Sequence, residues 1–408
     1  MSSGLALPYA APQAGGLLPV REYLLVGLTA AAVTFLLTGL VRLLAIRVKA
    51  VAYPRHRDVH LTPIPRMGGV AMYCGVLAGM FLAANLPALS RGFDYSVDAK
   101  SVVIAGGLIT LVGALDDRFE LDSLTKLAGQ VTAAGILVLA GVQWFIFWVP
   151  WGGEGGSIGQ YVALTGNEGQ LLTVLLIVAM VNAMNFVDGL DGLASGIGLI
   201  AASATCVFCL GLLQDHSGDA NVYPPALIAA ALAGACVGFL PFNFQPARIF
   251  MGDSGSMLIG MMLAAASTSA SGKMNYAGIG TKDVVALLSP LLVVAGVLFI
   301  PLLDLILAVV RRTRAGKSPF HADKMHLHHR LLELGHSQRR AVLLIYLWAA
   351  VLAFGAVSLT LFNTVVVGWV MGLAVLVAGI VSVIPRIRER AGAHPSGSGS
   401  AARPRRET

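Results

Sequence analysis

Charge is what this sequence has least of. Only 12% of its 408 residues are Asp, Glu, Lys or Arg, about half the share of an ordinary soluble domain. Apolar residues make up 56%, and mean hydropathy is +0.78. A soluble globular protein is therefore excluded, and no polar stretch is long enough to fold as a second domain. Cysteine is scarce too. Cys74, Cys206, Cys209 and Cys236 all lie in apolar runs. Cys206 and Cys209 share a helix face, but no second ligand pair accompanies them, so they read as small buried hydrophobes rather than a metal or redox pair. Residues 1–20 contain no charge at all. They lack the basic flank of a signal peptide, and the first apolar run reads as a retained helix.

What is present is a succession of apolar runs near the roughly 20 residues that cross a bilayer. About eleven are visible, near 22–46, 67–87, 101–115, 125–142, 171–187, 192–213, 224–242, 256–271, 284–310, 341–361 and 364–384. The expected fold is an all-α integral membrane protein in three segments. These are an extracytoplasmic stretch 1–20, a polytopic domain 21–385 and a basic, disordered tail 386–408. Gln143 to Gly169 mixes aromatics with glycine and suggests a small hairpin outside the bilayer. Eleven spans put the termini on opposite sides. The loops on one side, with Arg42 and the tail, then hold all the Lys and Arg except Arg21, Arg91, Lys100, Lys273 and Lys282. Lys and Arg gather on the cytoplasmic side, so the N-terminus is expected outside and the C-terminus inside. The net charge of +7 thereby finds an explanation without nucleic acid.

The unusual polar clusters fall on that same cytoplasmic side, where charges bordering a membrane mark function. Asp116-Asp117 ends an apolar run, followed by Lys126; two adjacent carboxylates can hold Mg²⁺ or accept a proton, or simply sit at a solvated helix terminus. Asn182, Asn185 and Asp188 recur every three residues on one helix face, and Asp191 continues the spacing if the turn stays helical. Gly189 and Gly192 permit close approach of a base or phosphate, which makes plain capping a poor account. Phe250 and Asp253 stand before the run at 256–271. Asp253 or a neighbouring serine could cap that helix, or an anion could sit at its N-terminus, with Phe250 offering a ring to a base. His321, His326, His328 and His329 crowd a basic loop; Lys324 and Arg330 among them suit a diphosphate better than zinc. Arg57, His60 and Arg66 could touch phosphates, or could be ordinary positive-inside residues.

Taken in order from Pro54 to His336, these segments resemble the polyprenyl-phosphate N-acetylhexosamine-1-phosphate transferases (glycosyltransferase family 4). The carriers are Pro-x-Pro-Arg-x-Gly-Gly, Asp-Asp with a Lys nine residues on, Asn-x-x-Asn-x-x-Asp-Gly-x-Asp-Gly, Phe-Met-Gly-Asp-x-Gly-Ser and the His-rich loop. His326-Leu-His328-His329-Arg is most similar to bacterial GlcNAc-1-phosphate transferases of the WecA/TagO type. MraY translocases have three consecutive histidines there. Ala52 departs from the pattern, since many relatives carry an Asp at that place.

The resemblance implies a multi-pass enzyme of the bacterial inner membrane. It would move GlcNAc-1-phosphate from UDP-GlcNAc to a polyprenyl phosphate with Mg²⁺, Mn²⁺ being a possible substitute, and release UMP. Homodimers occur among the partners it suggests. It implies Asp253 and Asn185 as metal contacts and Phe250 as the ring on uracil. Gly189, Leu190 and Asp191 would read the uracil edge, with Asn182 and Asn243 near the nucleotide. Lys126 would contact the diphosphate, Asp116 and Asp117 would deprotonate the lipid phosphate, Asp188 would belong to the catalytic set, and His326, His328 and His329 would hold the sugar phosphate. Arg66 and His60 would assist substrate binding. Three alternatives differ in predicted behaviour. A phospho-MurNAc-pentapeptide transferase would use another donor. An ion-coupled transporter would place its carboxylates at mid-membrane, whereas here only Asp304 lies inside a run. A CDP-alcohol phosphotransferase needs an Ala-Arg and paired downstream aspartates that are missing.

Overall fold

The computed structural model describes residues 18–52, 63–149, 160–215, 219–272, 313 and 337–392. Helices dominate them: α1 (Val20–Arg47), α2 (Gly68–Asn85), the short α3 (Ser90–Tyr95), α4 (Asp98–Phe119), α5 (Ser123–Leu139), α6 (Gly166–Val187), α7 (Leu193–Asp215), α8 (Tyr223–Asn243), α9 (Gly252–Gly272), α10 (Gln338–Leu361) and α11 (Thr364–Gly392). Ten of the expected runs coincide with helices, and the eleventh, 284–310, lies outside the described residues. Among the described residues, α1, α2, α4, α6, α7, α8, α10 and α11 are long and apolar enough to cross a membrane. The protein is thus an all-α, multi-pass membrane protein.

Local chemistry sets the helix starts. Thr165 and Glu168 form a reciprocal capping box at α6, satisfying two of the backbone donors that a helix start leaves open. The Asp122 carboxylate accepts from the amides of Leu124 and Thr125 at α5, both at 3.1 Å. Ser337 does the same for Arg340 at α10. The segment after Val142 does form a hairpin, with β1 (Val51–Ala52) and β2 (Ile64–Pro65) making an earlier small ladder. In the hairpin, β3 (Ile146–Val149) pairs antiparallel with β4 (Gln160–Ala163), Ile146 facing Ala163. At the C-terminus α11 continues through Gly392, past the expected start of the tail at 386. Arg386-Ile-Arg-Glu-Arg consists mostly of good helix formers, which carries the helix on.

Helices α8 and α9 form the interior. Every residue of α9 from Ser254 to Ser271 is buried, and α4, α6, α7 and α8 all pack against it. Its small Gly, Ser, Thr and Ala side chains let those neighbours come close, as membrane helices require where packing replaces the hydrophobic drive. The same logic joins α1 to α8. Gly234 and Gly238 lie four apart, and a Cβ on Gly234 would come within 2.0 Å of the Gly27 carbonyl oxygen. Only hydrogen fits there.

Candidate active site

Among the described residues, nine helix ends meet at one end of this bundle. The last turns of α1, α4, α6 and α8 arrive where α2, α5, α7, α9 and α10 begin. The contacts are specific. Lys126 Nζ, at the start of α5, stands 2.7 Å from Asp116 Oδ2 on α4 and 2.9 Å from Asp253 Oδ2 on α9. One ammonium therefore joins two carboxylates that come from segments far apart in sequence. The other Asp116 oxygen accepts the Leu121 N–H at 2.8 Å.

Asp117 has different surroundings from its neighbour. Its Oδ1 accepts the Asp253 N–H at 2.9 Å, and its Oδ2 accepts the Ser254 N–H at 3.3 Å and the Ser254 hydroxyl at 2.8 Å. Both oxygens are spent on the first turn of α9. The cap expected from Asp253 or a local serine is supplied instead by α4. Gly252 makes room for it: its φ is +69°, and a Cβ would lie 2.3 Å from the Asp117 carboxylate oxygens. Gly69 and Gly113 bring α2 and α4 against the same turn, where a Cβ would meet Ser254 or Gly255 backbone at 2.1–2.4 Å.

The Asn182 face divides between two neighbours. Asn185 donates to Ser256 Oγ at 3.1 Å and also hydrogen-bonds the Asp253 carboxylate. Asn182 donates to Gln130 Oε1 at 2.7 Å, and Gln130 donates in turn to the Met257 sulfur at 3.6 Å. Asp188, half-buried just past α6, is packed deep among protein atoms. Burial, reinforced by the charges of Asp117 and Asp253 and opposed by nearby Arg66, pushes its carboxyl up to about 8. Arg66 therefore does belong to this cluster.

Helix α6 ends at Val187, so the three-residue spacing does not extend to Asp191. That residue is buried, and its Oδ2 accepts the Ala247 N–H at 2.9 Å. Asn243 is also buried: its carbonyl oxygen accepts the Ser195 hydroxyl at 2.9 Å and its nitrogen donates to the Ile249 carbonyl at 3.1 Å. Both hold the loop 244–251 in shape. That loop is tied further by Phe250 N–H to Pro65 O at 2.8 Å, Gly68 N–H to Phe250 O at 3.1 Å, Arg42 Nε to Arg248 O at 3.1 Å and Arg339 Nε to Gln245 O at 3.1 Å. The hydroxyl of Tyr346 on α10 donates to the Gly192 carbonyl. Gly189 faces open space, whereas Leu190 is buried. His60, His326, His328 and His329 lie outside the described residues.

Sequence reading passed over Gln130, Ser195 and Tyr346. Gln130 carried a signal, since it lies four residues after Lys126 on the same helix face.

Among the described residues, no group of three or more His, Cys, Asp and Glu is arranged around a metal position. Mg²⁺ does not need one, because it is commonly held by one or two carboxylates together with substrate phosphates. The donors fit that mode. Asp253 is a partly open carboxylate, already facing one cation in Lys126. The Asn185 nitrogen donates to Ser256 and hydrogen-bonds Asp253, and its neutral carbonyl oxygen is a donor of the type Mg²⁺ accepts.

Residues 99–271 match the model of glycosyl transferase family 4. The chain is 59% identical to a decaprenyl-phosphate N-acetylglucosaminephosphotransferase of Mycobacterium leprae, covering 91% of this chain and 92% of the relative. It is 57% identical to the protein of that name in Mycobacterium tuberculosis, covering 94% and 93%. A probable undecaprenyl-phosphate N-acetylglucosaminyl 1-phosphate transferase of Bacillus subtilis is 34% identical, covering 79% and 81%.

Proposed function

This chain belongs to glycosyl transferase family 4, and from that premise we propose that its carboxylate–lysine cluster catalyses transfer of GlcNAc-1-phosphate from UDP-GlcNAc to decaprenyl phosphate. That the chain is a membrane-embedded GlcNAc-1-phosphate transferase acting on a polyprenyl phosphate follows from its relatives. The nucleotide donor, the length of the lipid, the metal and the role of each residue are our reading. One observation carries it: the Lys126 ammonium held between Asp116 and Asp253 at the N-terminal end of a buried helix.

In this reading the helix ends face the cytoplasm of a bacterial cell. The acceptor phosphate reaches them from the bilayer. One of its oxygens attacks the β-phosphorus of the donor, the bond from that phosphorus to the bridging oxygen breaks, and UMP leaves. The second pKa of a phosphate monoester is about 6, so at neutral pH most of the acceptor is already dianionic. The larger demand is neutralisation of negative charge. Bound at Asp253 and Asn185, Mg²⁺ would supply part of that neutralisation as a Lewis acid. Lys126 supplies another part, with Asp116 fixing its ammonium in place. Fixed charges of this kind need no reorganisation as the transition state forms. Asp117 acts at one remove, by holding the first turn of α9 and hence Asp253. Asn185 orients Asp253 from α6. Phe250, on the braced loop 244–251, offers its ring to uracil.

The test is product analysis with purified protein, decaprenyl phosphate and a panel of nucleotide sugars. The expected product is decaprenyl diphosphate-GlcNAc with equimolar UMP, dependent on divalent cation and lost in Asp253→Ala. Turnover of UDP-MurNAc-pentapeptide in place of UDP-GlcNAc would overturn the donor assignment. Full activity in the chelated enzyme would overturn the metal assignment.

A further inference from the structure

An apolar groove of about 520 Å³ opens between α7, α8 and α10, away from the carboxylate cluster. Its walls are Leu199, Val237, Leu240, Pro241, Phe244, Leu343 and Tyr346. Val237, Leu240 and Pro241 form one stripe of α8 at three- and four-residue spacing, and Phe244, just past the helix end, continues the wall. Val237 and Leu343 are exposed, so the groove opens outward. All three helices are apolar enough to span a membrane, so what fills the groove must be apolar.

One end of the groove is not apolar. Arg339 and Arg340 stand one turn before Leu343 on α10, on the side of the helix that carries Leu343 and Tyr346. Both are exposed. Arg339 Nε donates to the Gln245 carbonyl, one residue from Phe244 in the groove wall. Arg248 and Arg42 lie beyond, joined by their own hydrogen bond. Among the described residues, no carboxylate forms an ion pair with any of these four arginines. Exposed guanidinium groups at the mouth of an apolar groove are complementary to a molecule with an anionic phosphate head and a hydrocarbon tail. Basic pockets between transmembrane helices take lipid head groups in this way.

We infer that this groove is a binding site for an anionic phospholipid. One acyl chain lies along Val237, Pro241 and Leu343, and the phosphate lies against Arg339 and Arg340. The site touches the catalytic end through two links, Arg339 to the 244–251 loop and Tyr346 to the Gly192 carbonyl. A bound lipid therefore braces both segments from the membrane side.

The test uses the full chain, reconstituted in equal parts phosphatidylcholine and phosphatidylglycerol, with retained lipid counted by native mass spectrometry. Melting in detergent, recorded for each variant, shows that it is folded. Wild type is expected to retain phosphatidylglycerol in preference to phosphatidylcholine. The double variant R339Q/R340Q should cut that retention roughly thirtyfold, as the loss of two surface arginines implies. Leu343→Trp, which fills the groove, should remove it as well; if that variant melts early, the arginine pair decides alone. Four results would overturn the inference: equal retention of the two lipids, undiminished retention in the variants, displacement of the lipid by decaprenyl phosphate, or Leu343→Cys cross-linking to a second copy of the chain.

Discussion

The Asp117 carboxylate accepts the backbone N–H of Asp253 at 2.9 Å, across 136 positions of sequence. One pair of adjacent carboxylates thus performs two jobs. Asp116 holds a side chain, Lys126, and Asp117 holds a backbone, the first turn of α9. Their adjacency on α4 makes the two tasks move together.

Asp117→Asn should show this. An amide keeps one acceptor but turns an N–H₂ group toward the Ser254 donors, leaving buried hydrogen-bonding groups unsatisfied at about 1–3 kcal/mol. A fall in melting temperature without substrate is expected, with a matching loss of kcat. If melting is unchanged while kcat collapses, Asp117 acts on the substrate directly.

Lys126→Met leaves Asp116 and Asp253 facing each other with no cation between them. Loss of a preorganised charge of this kind lowers kcat by roughly 10²–10³. Lys126→Arg should recover only part of it, because a planar guanidinium cannot place one nitrogen at the shared point between two carboxylates. Initial rates at saturating donor and acceptor measure both effects.

Gly252→Ala combines two costs. A residue with a Cβ in the left-handed region costs about 1–2 kcal/mol, and here the added carbon would also displace the Asp117 carboxylate. The variant should melt lower than wild type and lose most activity. Gly189→Ala, where the added carbon meets nothing within 4 Å, is the control and should fold normally.

Asp188 sets a pH dependence. Its carboxyl is raised by burial from an ordinary 3.8 to about 8, so the folded chain holds one more proton than the unfolded chain between those values. Stability therefore falls as pH rises through that window and levels off above it. Melting in chelator should drop from pH 6 to pH 8. Asp188→Asn, which imitates the protonated form, should flatten this part of the profile; an unchanged slope would show that Asp188 is not its source.

Much of this arrangement was legible in the sequence, because hydropathy marks helices that must face lipid. The polar motifs were legible for a related reason: Asp116, Asp117, Asn185 and Asp253 stand out against apolar surroundings. Their division of labour was not. The cap of α9 comes from another helix, and no local spacing announces a partner over a hundred residues away. The motif singles out Asp191 and Asn243, but their partners inside the protein were not legible: Asp191 Oδ2 accepts from Ala247, and Asn243 pairs with Ser195 and Ile249. The start of α9 was misplaced for the same reason, since Gly252 and Asp253 look like loop until Asp117 is set against them.

Helix α9 bears on how the protein is made. It is enclosed by protein from Ser254 to Ser271 and is rich in hydroxyl and glycine residues. It also falls outside the set of helices apolar enough to stand alone in lipid. Such a segment gains little by leaving the insertion machinery unaccompanied. Its integration is expected to follow α4, α6 and α8, which are synthesised first and form a receptive cradle, so the helix that carries Asp253 settles after those neighbours.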